Sequence, residues 1–191
     1  MALALDYAAL AISELGNISD RRIFFALSGE APNIPKFLTP QAGVNSGFMM
    51  LQYTSAALVS ENKSLCFPAS ADSIPTSLNQ EDHVSMGSIS GRKALAILEN
   101  VEKILALELL VAAQALGFQR PLKSSPALET IQTFVRTKVP FIQQDTSFED
   151  YIQQALQWVQ TGKITELLSV FFKSHSQNGR ISFNPKFDLL L

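Results

Sequence analysis

The sequence has few cysteines, few histidines and little charge. Cys66 is the single cysteine among 191 residues, so the chain can form neither an internal disulfide nor a thiolate metal cage, which fits a reducing, cytoplasmic setting. The two histidines, His83 and His175, lie far apart along the chain, and no metal site is predicted. Charged residues make up 17 % of the chain and the formal net charge is -2, which argues against nucleic acid or an anionic membrane surface as a partner.

Two further absences narrow the functional classes. No glycine-rich loop follows a strand pattern, so the sequence predicts no phosphate-binding loop. The most apolar stretch, residues 104–118, is interrupted by Glu108 and flanked by Glu102 and Lys103, which makes it poor material for crossing ~30 Å of hydrocarbon. Apolar residues nevertheless make up 47 % of the chain, which predicts large buried faces and contacts with other subunits.

Apolar side chains recur at three- and four-residue spacing along most of the chain, which predicts helices. The expected helices cover residues 2–15, 45–64, 85–117, 126–139, 147–162 and 164–172, with a further helical turn at residues 19–27. Gly16 and Gly162 are expected to end helices, and Ser125 to cap one. No alternating strand pattern exceeds a few residues. The prediction is an all-α domain over residues 1–172, followed by an irregular tail at residues 173–191.

A dense polar run stands immediately before the longest predicted helix. Asn79-Gln80-Glu81-Asp82-His83 contains two amides, two carboxylates and an imidazole in consecutive positions. Such density is unusual for a structural turn. The run is therefore the leading candidate for a functional site.

The surrounding segment, residues 72–86, resembles the late active-site segment of histidine ammonia-lyases, a branch of the aromatic amino acid lyases. Other similar segments occur in that family's order and spacing, at residues 15–23, 43–49, 60–63 and 99–114. The resemblance covers roughly residues 1 to 170. Glu81-Asp82-His83 looks like the histidine-specific version of the motif rather than that of phenylalanine and tyrosine lyases.

The resemblance implies a long-helix bundle similar to the C-terminal half of the lyase fold, in a homotetramer that converts L-histidine to trans-urocanate and ammonia. It also implies a methylidene-imidazolone cofactor, which the family makes autocatalytically from an internal Ala-Ser-Gly. This chain contains no Ala-Ser-Gly, because its Ser-Gly pairs follow Leu27, Asn45 and Ile89. The cofactor is therefore expected in a missing N-terminal half, and the isolated chain is expected to be inactive.

The resemblance gives the polar run its roles. Glu81 is the predicted catalytic residue, since a carboxylate can accept a hydrogen bond from the substrate imidazole or the leaving ammonium. The alternative for Glu81 is an acid that stabilises a helix N-terminus. Gln80, Asn79 and His83 are predicted to bind substrate, although each can equally serve a structural role. Residues 45–47 are expected to cap a helix rather than to contact substrate.

Two other functions remain open at this point. One is a non-catalytic helical oligomerisation or regulatory module descended from such a lyase. The other is a lyase or aminomutase of the same family that acts on tyrosine or phenylalanine.

Overall fold

The computed structural model describes residues 1–176, which form an all-helical bundle, as predicted. The helices are α1 (Ala2–Ser28), α2 (Met49–Leu65), α3 (Gly87–Phe118), α4 (Pro126–Arg136), α5 (Glu149–Gln160) and α6 (Lys163–Ser176). Between them lie three single 3-10 turns, Lys36–Leu38, Ala69–Ala71 and Ser77–Asn79. Within residues 1–176 the only extended pairings are two isolated bridges.

The two longest helices, α1 and α3, lie side by side and run in the same direction. Near their starts a Cβ at Gly91 would lie 3.7 Å from Leu5 Cδ1, and farther along Ser19 Oγ donates to Glu108 Oε2 at 2.6 Å. Helix α2 runs the opposite way, because Ser55 near its start meets Asp20 and Cys66 at its end meets Ala9. The resulting three-helix layer is covered by α5, which packs on α3.

The main core lies between this layer and the C-terminal helices. Its fully buried members come from several elements and include Ile23, Leu38, Ile104, Val135 and Ala155. Burial of a large aliphatic side chain stabilises a fold by about 1.5–3 kcal/mol, so this cluster is the main source of stability. None of the helices within residues 1–176 is both long and apolar enough to cross a membrane.

The predicted helix end at Gly16 is wrong, because α1 continues to Ser28 and ends at Gly29, whose φ of 74° is left-handed. Gly16 lies where α1 touches α3. A Cβ there would be 3.2 Å from both Ile104 Cδ1 and Val101 Cγ2, so glycine permits the close approach of the two helices. The helical turn expected at residues 19–27 is the second half of α1.

The later helix ends also differ from expectation in detail. Helix α4 starts as predicted, with Ser125 Oγ accepting the N–H of Leu128 at 3.4 Å, but ends at Arg136. Helix α5 begins at Glu149, two residues later than expected, and its N-cap Phe148 makes no side-chain bond. Residues 173–176, expected to be irregular, continue α6. The rest of the expected tail, residues 177–191, lies outside the described residues.

Candidate active site

The loop that carries the polar run joins α2 to α3 and is fixed at its base by Asp6 of α1. Asp6 is only 5 % exposed, and its Oδ2 accepts the backbone N–H of Ser70 at 2.8 Å. The Ser70 hydroxyl, together with the N–H groups of Ser70 and Ala69 and the Ser90 hydroxyl, lowers the pKa of Asp6 from 3.8 to about 2, against the opposing effect of burial. An ionised, buried carboxylate therefore holds the start of the loop against α1 and α3.

Two further pairs close the loop above this anchor. Ser73 Oγ accepts the N–H of Val84 at 2.8 Å and donates to the Val84 carbonyl at 3.1 Å. Nearer the tip, Thr76 and Glu81 exchange backbone hydrogen bonds of 3.0 and 3.2 Å. Residues 77–80 form the tip of the loop, a narrow turn that projects from the bundle and is held by these two hydrogen-bonded pairs.

The tip has an unusual backbone. Ser77, Leu78 and Asn79 have φ values of 53°, 54° and 75°, in the left-handed region that only glycine adopts without strain. Each such residue costs about 1–3 kcal/mol and persists where the surroundings impose it, often at functional sites. Leu78 is nevertheless fully exposed. Burial of the Leu78 side chain among the described residues therefore does not impose this conformation.

The predicted site residues all lie on this loop with exposed side chains. Asn79, Gln80, Glu81 and His83 make no side-chain hydrogen bond or ion pair within the described part of the chain. His83 and Asp72 help to line a cavity of about 200 Å³ at the foot of the loop. Asn79, Gln80 and Glu81 do not line this cavity. The structure therefore brings the four residues to one loop but not into one pocket.

A second irregular segment, residues 45–47, does not cap α2. It is instead held by hydrogen bonds to a residue far along the chain, Asp145. Asp145 Oδ2 and Oδ1 accept the N–H groups of Ser46 and Gly47 at 2.9 and 2.8 Å, and the Asp145 N–H donates to Asn45 Oδ1 at 3.1 Å. The predicted cap is wrong, because α2 begins at Met49 and no side chain caps it. Residues 45–47 thus hold the α2 entrance to the connection between α4 and α5.

Sequence reasoning missed the residues that position the candidate site. Asp6 is the only charged residue before Glu14 in an otherwise apolar segment, and that isolation was the available signal. Asp145 and Ser73 carry no such signal, because their partners lie far along the chain or require the folded loop. Residues 1–176 bring together no group of three or more His, Cys, Asp or Glu side chains that could hold a metal ion.

Comparison with known sequences now assigns the family. The sequence profile described as "Aromatic amino acid lyase" matches residues 1–137. The chain belongs to the aromatic amino acid lyase family. A relative of this lyase chain, the histidine ammonia-lyase of Natranaerobius thermophilus, is 48 % identical over 172 residues, which are 88 % of this chain and 33 % of the relative. The lyase chain therefore spans about a third of the length of that relative.

Solved structures agree with the family assignment. The crystal structure of histidine ammonia-lyase from Trypanosoma cruzi is 44 % identical to the lyase chain and superposes with a TM-score of 0.85, covering 89 % of this chain and 34 % of that one. A tyrosine aminomutase from Streptomyces globisporus is 35 % identical with a TM-score of 0.83, over 88 % of this chain and 32 % of that one. The bundle is thus a portion of the aromatic amino acid lyase fold.

Proposed function

We propose that this chain supplies one wall of a histidine ammonia-lyase site, in which L-histidine loses ammonia to give trans-urocanate once a segment carrying the electrophile completes the site. The observation that carries the proposal concerns the polar run, residues 79–83. Its loop is held at the base by buried Asp6, while the side chains of the run have no hydrogen-bond or ion-pair partner within residues 1–176. The 48 % identity to a histidine ammonia-lyase supports the choice of histidine.

In this proposal Glu81 is the catalytic residue. Its backbone is fixed by the double hydrogen bond to Thr76, while its exposed carboxylate is free to accept a hydrogen bond from the substrate imidazole or the leaving ammonium. Gln80 and Asn79 present amides beside it, and His83 lies at the foot of the same loop. Each is proposed to contact substrate.

The methylidene-imidazolone group cannot be built from this chain. Ser28-Gly29 ends α1, Ser46-Gly47 is held by Asp145, and Ser90-Gly91 lies inside α3, and none of these pairs follows an alanine. The proposal therefore places the group on the N-terminal part of the enzyme, where it supplies the electrophile that makes ammonia elimination feasible. The residues of this chain bind and orient the substrate, with Glu81 accepting a hydrogen bond from it, and the chain alone is proposed to be inactive.

The surface of α1 supports assembly with further chain. Large apolar side chains are exposed along much of this helix: Leu3, Tyr7, Leu10, Leu15, Ile18, Phe24 and Phe25. A helix that is apolar on several faces is normally buried in a larger assembly. We therefore propose that the complete enzyme is an oligomer, and the family resemblance suggests a cytoplasmic homotetramer.

The experiment uses a chimera in which this chain replaces the matching third of the Natranaerobius thermophilus enzyme. Glu81→Gln should lower kcat for histidine by at least about 100-fold, the lower range for loss of an acid–base group, with a smaller effect on KM. Glu30→Gln changes an exposed acid outside the loop and should leave kcat within about twofold. Equal kinetics for both variants would remove Glu81 from the mechanism.

A tyrosine or phenylalanine substrate is the second candidate, favoured by the TM-score of 0.83 to a tyrosine aminomutase. The same chimera distinguishes the two, because turnover of tyrosine or phenylalanine above that of histidine would overturn the histidine assignment. A properly assembled chimera that turns over none of the three amino acids would instead indicate a non-catalytic helical module.

A further inference from the structure

A cleft of about 410 Å³ lies far from the polar tip, between the end of α3 and helix α4. Two guanidinium groups, those of Arg120 and Arg136, line it together with the hydroxyl-bearing Thr133 and Thr137. Gly117, Gln132 and Phe141 also line it. The cleft is therefore open and lined by two positively charged side chains, in a chain whose net charge is negative.

The two arginines have different partners. Arg120 is neutralised by a two-pronged ion pair with Glu129, with Nη1–Oε1 and Nη2–Oε2 distances of 3.0 and 2.8 Å. Arg136 meets no carboxylate within residues 1–176. Its recorded acceptors are the neutral carbonyl oxygens of Ala113 at 2.6 Å, Pro140 at 2.7 Å and Val139 at 3.3 Å. Within residues 1–176 the two cations of the cleft therefore have one carboxylate partner, Glu129, which pairs with Arg120.

Arg136 is also held in place as a rigid donor. Three carbonyls occupy three of its five N–H groups, which leaves two for a ligand. Its guanidinium lies 5.6 Å from the centre of the Phe141 ring. A Cβ on Gly117 would lie 2.5 Å from two Phe141 ring carbons and 3.3 Å from Arg136 Nη2, so glycine permits this arrangement.

The charge on Arg136 is energetically disfavoured in the free cleft. Burial, and then the positive charge of Arg120, lower the pKa of Arg136. An anion between the two guanidiniums would offset both effects. Charge-assisted hydrogen bonds from arginine to oxyanions are among the strongest in proteins, because the planar fork of donors matches the spacing of two oxygens.

We propose that this cleft binds a small oxyanion, a phosphate or a carboxylate, held between the guanidiniums of Arg136 and Arg120 beside the hydroxyls of Thr133 and Thr137. This mode of anion binding differs from that of a glycine-rich phosphate loop, because side-chain guanidiniums rather than backbone N–H groups supply the donors. The site is separate from the polar tip and does not depend on the proposed lyase activity.

The test is calorimetric titration of the full chain with inorganic phosphate and, separately, with succinate, at fixed ionic strength. Saturable binding of either supports the proposal and identifies which oxyanion the cleft prefers. Thr133→Asp places a competing carboxylate on the cleft wall and should weaken that binding by at least about tenfold. Thr130→Asp is the matched control, because both hydroxyls donate to a carbonyl four residues earlier on α4 but Thr130 does not line the cleft.

A second variant removes the unpaired cation itself. Arg136→Gln keeps an amide that can still donate to a carbonyl and should abolish saturable binding in protein that remains folded by circular dichroism. The proposal is overturned if neither oxyanion binds the unaltered chain. It is equally overturned if Thr133→Asp and Thr130→Asp bind alike.

Discussion

Gln114 offers the sharpest test of how the bundle holds its irregular segments. The side chain is 1 % exposed on α3 and reaches two connections at once. Its Nε2 donates to the Ile142 carbonyl at 2.6 Å and to the Leu38 carbonyl at 3.3 Å, while its Oε1 accepts the Ile142 N–H at 3.2 Å. Methionine has nearly the same shape, so Gln114→Met removes the hydrogen bonds with little change in packing.

The expected loss follows from the groups left behind. Leu38 and Ile142 are 0 % and 8 % exposed, so water does not readily replace the amide. A buried polar group without a partner costs about 1–3 kcal/mol, and the Leu38 bond is the weakest of the three because it is the longest. The two Ile142 groups therefore dominate, and Gln114→Met should lower the free energy of unfolding by about 2–6 kcal/mol.

Urea unfolding followed by far-UV circular dichroism measures this loss. Gln153→Met is the control, because Gln153 is exposed on α5, and it should change the free energy of unfolding by less than about 0.5 kcal/mol. If the two variants unfold at the same urea concentration, then Gln114 does not hold the two connections and the reasoning fails.

Three other perturbations have expected outcomes. The lowered pKa of Asp6 gives stability that is complete above pH 3.8 and is lost as the pH falls through about 2. Asp6→Asn should therefore flatten the dependence of the free energy of unfolding on pH in that window. An unchanged pH dependence between pH 3.8 and 2 would contradict this. Gly47→Ala should destabilise the protein more than Gly43→Ala. Both glycines have positive φ, but only a Cβ at Gly47 would meet a backbone oxygen, that of Phe37, at 2.4 Å. Equal urea midpoints for the two variants would refute the clash. Ser125→Ala should lower the free energy of unfolding by about 0.5–1 kcal/mol through loss of the α4 cap. No measurable change in thermal unfolding would show that the cap does not stabilise the protein.

The helical architecture could be predicted because its signal is local. Helix α3 spans 32 residues and repeats the same apolar spacing throughout, so its bounds differ from the expected ones by no more than two residues. The end of α1 could not be predicted in the same way. Glycine commonly ends helices, but Gly16 lies inside α1, where the absence of a side chain lets α1 contact α3 closely. The sequence of α1 alone does not reveal that contact.

The candidate site shows the same division between local and distant information. The density of amides and carboxylates at residues 79–83 is visible in the sequence, and the family resemblance assigned its roles. The left-handed turn at its tip is not visible, since serine and leucine do not favour that backbone. Nor is the anchor at Asp6, because its bond to Ser70 joins residues 64 positions apart.

The most direct test of the central claim is reconstitution from two polypeptides. The chain is mixed with the upstream part of the Natranaerobius thermophilus histidine ammonia-lyase, which is proposed to carry the electrophile. Urocanate formation from L-histidine is followed by its ultraviolet absorbance. The account predicts no urocanate from either polypeptide alone and steady formation from the associated pair. Turnover by this chain alone, or an associated pair that forms no urocanate, would contradict it.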